Sequence, residues 1–128
     1  MTLHKSTDPM AERCAIRDVL NRVGDRWSML VLFTLESNGT MRFSVLKARI
    51  PDISQRMLAQ TLRKLEQDGL VSRTVYPTIP PRVDYALTPL GVSFLLPMQG
   101  LLAWAEAHHE EVRTARQSYV APVAIAAR

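Results

Sequence analysis

Apolar residues recur at helical spacing along most of this chain, and strict alternation replaces that spacing once, past its middle. Leu58, Leu62 and Leu65 fall at i, i+4 and i+7 and predict the inward stripe of a helix over 54–68. Arg56, Gln60, Arg63 and Gln67 repeat at the same spacing on the opposite side, a face of guanidinium and amide groups with no carboxylate on its centre line. Ser54 suits the N-cap, with Asp52 and its partner Gln55 as the rival. Gly69 is placed to end the helix in a left-handed conformation, folding Leu70 back toward Leu65.

Upstream, Ile16, Val19, Leu20 and Val23 make the same stripe over 12–23, closed by Gly24. Asp25 then caps a helix over 26–37. Trp27, Leu30, Val31, Thr34 and Leu35 line one side of it, and Met29, Leu32 and Phe33 fill much of the other. A helix apolar almost all round is expected in the core. Asn38-Gly39 predicts a turn, 40–42 a short strand and 43–49 a brief helix with Phe43 and Leu46 inward. Pro51 disfavours helical geometry at Ile50 and turns the chain. A short helix, a tight turn and a longer helix with a basic face together predict a helix-turn-helix.

From Leu70 the period becomes 2. Val71, Arg73 and Val75 alternate with Ser72, Thr74 and Tyr76; Val83, Tyr85 and Leu87 alternate with Asp84 and Ala86. Joined by Pro77-Thr78-Ile79-Pro80-Pro81, the two runs predict a β-hairpin whose tip, 76–83, is a wing. Thr88 and Pro89 suit the N-cap and first position of a last helix. Its stripe of Leu90, Phe94, Met98, Leu101 and Ala105 runs to about Val112, with a kink expected near Phe94 because of Pro97. The predicted fold is mainly α with a small β-hairpin wing, a winged helix-turn-helix over 12–116. Residues 1–11 are expected as a mobile arm and 117–128 as a flexible tail.

The stripe of the last helix exceeds what one protomer of this size covers. Ile16, Val19, Leu20, Phe94, Met98, Leu101 and Ala105 are therefore candidates for a homodimer interface, unless both helices simply pack on their own core.

Composition sharpens this picture. The chain has 128 residues, 47% of them hydrophobic, and carries a net charge of +4. Residues 42–82 hold eight basic and three acidic residues, a net of +5, so the remainder sums to −1. A positive excess confined to the helix-turn-helix and wing is the footprint of a nucleic-acid surface; a solvated basic face is the alternative. No apolar run reaches the ~18 residues a membrane span needs, and nothing at the N-terminus reads as a signal peptide. One cysteine cannot form an internal disulfide, so a reducing cytoplasm is expected.

Ser54, Gln55, Arg56, Gln60, Arg63 and Lys64 are the candidate DNA contacts on the helix. Gln pairs bidentately with adenine and Arg with guanine. Positions nearest the helix N-terminus suit bases, and Arg63 and Lys64 suit phosphates. Arg42 is placed to hold a phosphate from the start of the short helix. Arg82 reaches DNA from the wing or forms a salt bridge within the hairpin.

These residues also carry a family resemblance. Arg13-Cys14-Ala15-Ile16 and Val23-Gly24-Asp25-Arg26-Trp27-Ser28-Met29-Leu30 resemble the opening of the HxlR family of bacterial winged-helix regulators. So do Met41-Arg42-Phe43-Ser44-Val45-Leu46, Ile50-Pro51-Asp52-Ile53-Ser54-Gln55-Arg56 and Leu65-Glu66-Gln67-Asp68-Gly69-Leu70-Val71. Pro80-Pro81-Arg82-Val83-Asp84-Tyr85-Ala86-Leu87-Thr88-Pro89-Leu90-Gly91 completes the series, which spans about 12–111. One departure is Ala15, where many members have proline. The resemblance implies a homodimeric DNA-binding transcription factor of MarR-like architecture, with repression the commoner role.

Cys14 resembles the cysteine of members that sense quinones, aldehydes or oxidants. Arg13, Arg17 and a helix N-terminus favour its thiolate, while Glu12 and Asp18 oppose it. The alternative is an apolar cysteine at the dimer seam. Glu106, His109 and Glu110 share a helix face, but such a group is more commonly a solvated terminus than a metal site. Trp104 and Tyr119 are candidates to cover a small pocket.

No Ser-His-Asp arrangement, Gly-rich phosphate loop or paired-carboxylate motif points to an enzyme, and no cofactor is expected. The expected partners are double-stranded DNA, a second copy of the chain and a small oxidant or electrophile. The alternatives are a small-ligand-responsive regulator and a winged-helix module that contacts protein or RNA.

Overall fold

The computed structural model describes the backbone of residues 9–123 and the side chains from Ala15 onward. The elements run α1 (Pro9–Gly24), α2 (Arg26–Asn38), β1 (Met41–Arg42), α3 (Phe43–Arg49), α4 (Gln55–Gln67), β2 (Val71–Tyr76), β3 (Arg82–Leu87) and α5 (Pro89–Ser118). Two compact units divide within α5, between Leu95 and Leu96.

In the first unit, α2 contributes Val31, Leu32 and Leu35 to a core completed by Leu46, Ile50 and Ile53 and by Leu58, Leu62 and Leu65 of α4. Asp25 caps α2 as expected, accepting from the Trp27 backbone N–H at 3.2 Å and from the Ser28 hydroxyl at 2.7 Å. The helix is not buried all round, because Leu30 is 41% exposed. Its packing against α1 and α4 leaves the Leu30 edge uncovered.

The sheet is antiparallel in the order β1-β3-β2. Met41 pairs with Tyr85 and Arg42 with Asp84, while Arg73 pairs with Tyr85 and Tyr76 with Arg82. Alternation along a strand therefore puts Met41, Val71, Arg73 and Tyr85 on one face. Arg42, Thr74, Tyr76, Arg82 and Asp84 share the other. Val71 and Tyr85 are buried, which identifies theirs as the core face.

A clip closes the base of the hairpin. The Thr88 hydroxyl donates to the Gly69 carbonyl at 2.6 Å and accepts from the Gly91 N–H at 3.0 Å. The Thr88 N–H donates to the Leu70 carbonyl at 3.1 Å. One residue thus caps α5 and anchors it to the turn that ends α4.

Two helix limits differ from expectation. α1 begins at Pro9, inside the arm expected over 1–11, of which 1–8 lie outside the described residues. Proline at a first helical position has its φ preset, and its missing N–H is no loss there. α5 runs unbroken through Pro97 to Ser118, so the chain is still helical at the start of the expected 117–128 tail, whose residues 124–128 are not described. The second unit is the remainder of that helix and the short extension after it. In it, Trp104 stacks on the His108 ring at 4.8 Å, and Tyr119 is 69% exposed.

Candidate nucleic-acid interface

α4 shows two unlike faces. Leu58 and Leu65 are fully buried, and Thr61 and Leu62 nearly so. Gln55, Arg56, Gln60, Arg63 and Lys64 are all exposed. The Ser54 hydroxyl accepts from the Met57 N–H at 3.0 Å, which makes it the N-cap and leaves Asp52 out. At the other end Gly69 has φ +78 and the Leu70 N–H donates to the Leu65 carbonyl at 3.0 Å. Both ends satisfy backbone groups that a helix otherwise leaves open. The helix is fixed while its polar face stays clear.

The remaining candidates do not all join that face. Arg42 is exposed at the start of α3 and makes no side-chain capping bond. Arg82 holds Asp84 in a fork, with Nε to Oδ1 at 2.9 Å and Nη2 to Oδ2 at 3.0 Å, and its guanidinium lies 5.3 Å from the Tyr76 ring centre. Of the two roles expected for Arg82, the hairpin salt bridge is the one formed. The fork holds the Asp84 carboxyl below its usual range and raises the Arg82 guanidinium, and Arg42 adds a weaker pull on Asp84. Arg42 and Arg82 thus gather round one carboxylate on the outer sheet face, apart from the Arg63 side of α4.

Arg73 was not among the sequence candidates. With Arg63, Ala59, Glu66 and Tyr85 it lines a polar cleft of about 350 Å³ between α4 and the sheet. Only the pairing of Arg73 with Tyr85 and the packing of α4 bring these residues together. Another link invisible in the linear chain joins α1 to the end of α4, where the Arg22 guanidinium grips the Asp68 carboxylate. That bond raises the Arg22 pKa. Asp18, Val19, Asn21, Leu70 and Phe94 join the pair around a cleft of about 420 Å³.

Residues 22–113 match the model of the HxlR-like helix-turn-helix family. The chain belongs to that family. It is 43% identical over 117 residues to the HTH-type transcriptional regulator YtfH of Escherichia coli, covering 91% of this chain and 92% of that protein. The solved structure of the putative transcriptional regulator ytfH from Salmonella typhimurium matches with a TM-score of 0.73 at 41% identity, over 88% of this chain and 99% of that one. The reduced form of the transcriptional regulator YodB from B. subtilis matches with a TM-score of 0.63 at 36% identity, over 79% and 93%. A diamide-treated form of YodB matches as well. This HxlR-family chain is accordingly an HTH-type transcriptional regulator with a winged-helix fold.

The candidate interface residues of α1 lie bare in the single chain. Ile16, Val19 and Leu20 are 60%, 50% and 59% exposed. Phe94 and Met98 are half-buried, and Leu101 and Ala105 are exposed. Cys14 lies in the helical backbone of α1, but its side chain is outside the described residues. Because α1 starts at Pro9, Cys14 is in the second turn and not the first.

Proposed function

We propose that this regulator binds a palindromic operator as a homodimer and represses transcription. Gln55, Arg56 and Gln60 of α4 read bases in the major groove, and Arg63 and Lys64 hold phosphates. The carrying observation is the division of α4 into a fully buried Leu58/Leu65 stripe and an exposed Gln/Arg face on a helix anchored at both ends. Arg42 and the Asp84-bound Arg82 meet the DNA backbone from the sheet side. Mobility shift on the region upstream of the protein's own gene tests this. Arg56→Ala with Gln60→Ala should abolish the preference for that sequence; unchanged affinity and preference would refute the helix assignment.

The apolar faces of α1 and α5 join the two copies in this reading. The 30-residue α5 holds an 18-residue window of mean hydropathy 1.2, 11% of it buried, so by length and composition it is apolar enough to cross a membrane, contrary to the expectation from the linear chain. Membership of a family of HTH-type regulators supports the subunit interface as the use of that surface, in a protein working in the cytoplasm.

Regulation through Cys14 is the second part of the proposal, supported by the likeness to YodB. Cys14 is the chain's single cysteine. Two-electron oxidation of two thiols to one disulfide, with diamide as the oxidant taking both hydrogens, therefore links two copies, or one copy and a small thiol. Cys14→Ser should remove any loss of operator binding caused by diamide. The Arg22 cleft supports a small-ligand-responsive alternative.

A further inference from the structure

The cleft between α4 and the wing is built from two elements. Ala59, Arg63 and Glu66 succeed one another at i, i+4 and i+7 along one side of α4. Arg73 and its cross-strand partner Tyr85 supply the other wall. Ala59 is small where a longer side chain would fill the opening.

Three other arginines of this unit are held by partners. Arg22 grips Asp68, Arg82 grips Asp84, and Arg49 donates to the Asn38 side chain at 2.6 Å. Arg63 and Arg73 make no ion pair or hydrogen bond with the described residues. Both face a cleft whose single carboxylate is Glu66, so the opening keeps a net positive charge. Two guanidinium groups converging from different elements suit a tetrahedral oxyanion, which they can grip with parallel N–H donors. Phosphates of the DNA backbone flank any helix lying in the major groove, and contacts to them fix register without reading sequence.

We propose that Arg63 and Arg73 form a clamp, shared between the recognition helix and the wing, for one backbone phosphate of the bound DNA. Arg73 is the half of this clamp that no contact within α4 supplies. It rests on the operator-binding reading above and adds to it a fixed point between helix and hairpin. The clamp carries affinity and salt dependence, while Arg56 and Gln60 carry preference.

Fluorescence anisotropy is the test, with a labelled duplex from the region upstream of the protein's own gene and a scrambled duplex of equal length, each at several salt concentrations. Arg73→Gln should lower the slope of log K against log salt by about 0.9 and weaken both duplexes about five-fold at ~0.15 M salt, the counterion-release contribution of one phosphate. The ratio between the duplexes should not change. Ala59→Leu removes no charge but fills the cleft, and it should weaken both duplexes with an unchanged melting temperature. If Arg73→Gln keeps the wild-type slope and affinity, or loses only the upstream duplex, the clamp is wrong while operator binding stands. If Arg73→Gln does not fold, the Ala59→Leu protein decides, and wild-type binding by it overturns the clamp. A wild-type protein that binds neither duplex overturns both readings.

Discussion

A β-carbon at position 91 would come within 3.0 Å of the carbonyl oxygen of Leu70. Gly91 lies in the first turn of α5, and Leu70 is the residue on which the chain leaves α4. The atom in the way is backbone, so no rotamer change relieves the collision. Gly91→Ala should therefore destabilise the protein by about 1–3 kcal/mol, the usual cost of overpacking, even though alanine is the better helix former. Thermal unfolding checks this. Gly100→Ala in the same helix meets nothing within 4 Å and should stabilise or leave the melting temperature unchanged.

The Ser54 cap separates stability from binding. Ser54→Ala removes the acceptor for the Met57 N–H and should cost about 1 kcal/mol in chemical denaturation. Ser54→Asp keeps an acceptor and suits the positive end of the helix, so it should fold as well as wild type. In the proposed complex its carboxylate would face the DNA and be repelled by the phosphates. Ser54→Asp should be stable and binding-defective, and tight binding by it would place this end of α4 away from the backbone.

Acid unfolding should report the Asp84 fork. Arg82 holds the folded-state pKa of Asp84 below its unfolded value near ~3.9. The native state thus prefers the carboxylate, and the stabilisation is complete above the unfolded pKa. It is lost as pH falls through ~3.9 and on toward the lower folded value. Asp84→Asn should be less stable than wild type at pH 7, and the gap should narrow below pH ~4. A constant gap across that range would mean the fork contributes no pH-dependent stability.

The exposed stripe of α1 gives a direct test of assembly. Leu20→Glu with Ile16→Glu should yield a folded monomer by light scattering, and operator affinity should fall as half-site coupling is lost. Retention of a dimer by this variant would move the interface off α1.

Most of the fold was readable because each helix carries its own punctuation. Leu58, Leu62 and Leu65 lie within eight residues, and Ser54 and Gly69 mark the ends with chemistry that acts over three or four positions. The start of α1 was missed because Pro9 reads as a breaker and the turn after it has no apolar stripe. α5 outran its expected end because its last turns are held by charged and alanine residues of good helix propensity, which leave no periodic mark.

The site was legible only where a single helix presents it. Gln55, Arg56 and Gln60 needed nothing but the period of α4. Arg73 could not be matched with Arg63 without the register of the hairpin, which pairs Arg73 with Tyr85. Arg22 and Asp68 stand 46 positions apart, and one residue among many acids and bases does not announce its partner over that distance. Arg82 was open to two readings, and its hairpin salt bridge became visible only with the strand geometry that sets Asp84 on the same face two residues on.

The Thr88 clip has a consequence for how this protein can change. It ties the residue after the hairpin to Gly69 and Leu70, the residues before it, so the wing is a closed loop fastened at its root. Its tip, 77–81, extends from a root that is held independently of it. Residues can be added, deleted or exchanged there without loosening the frame. The tip is then the position where insertions should disturb folding least, and where a peptide tag or a dye should be tolerated in the native protein.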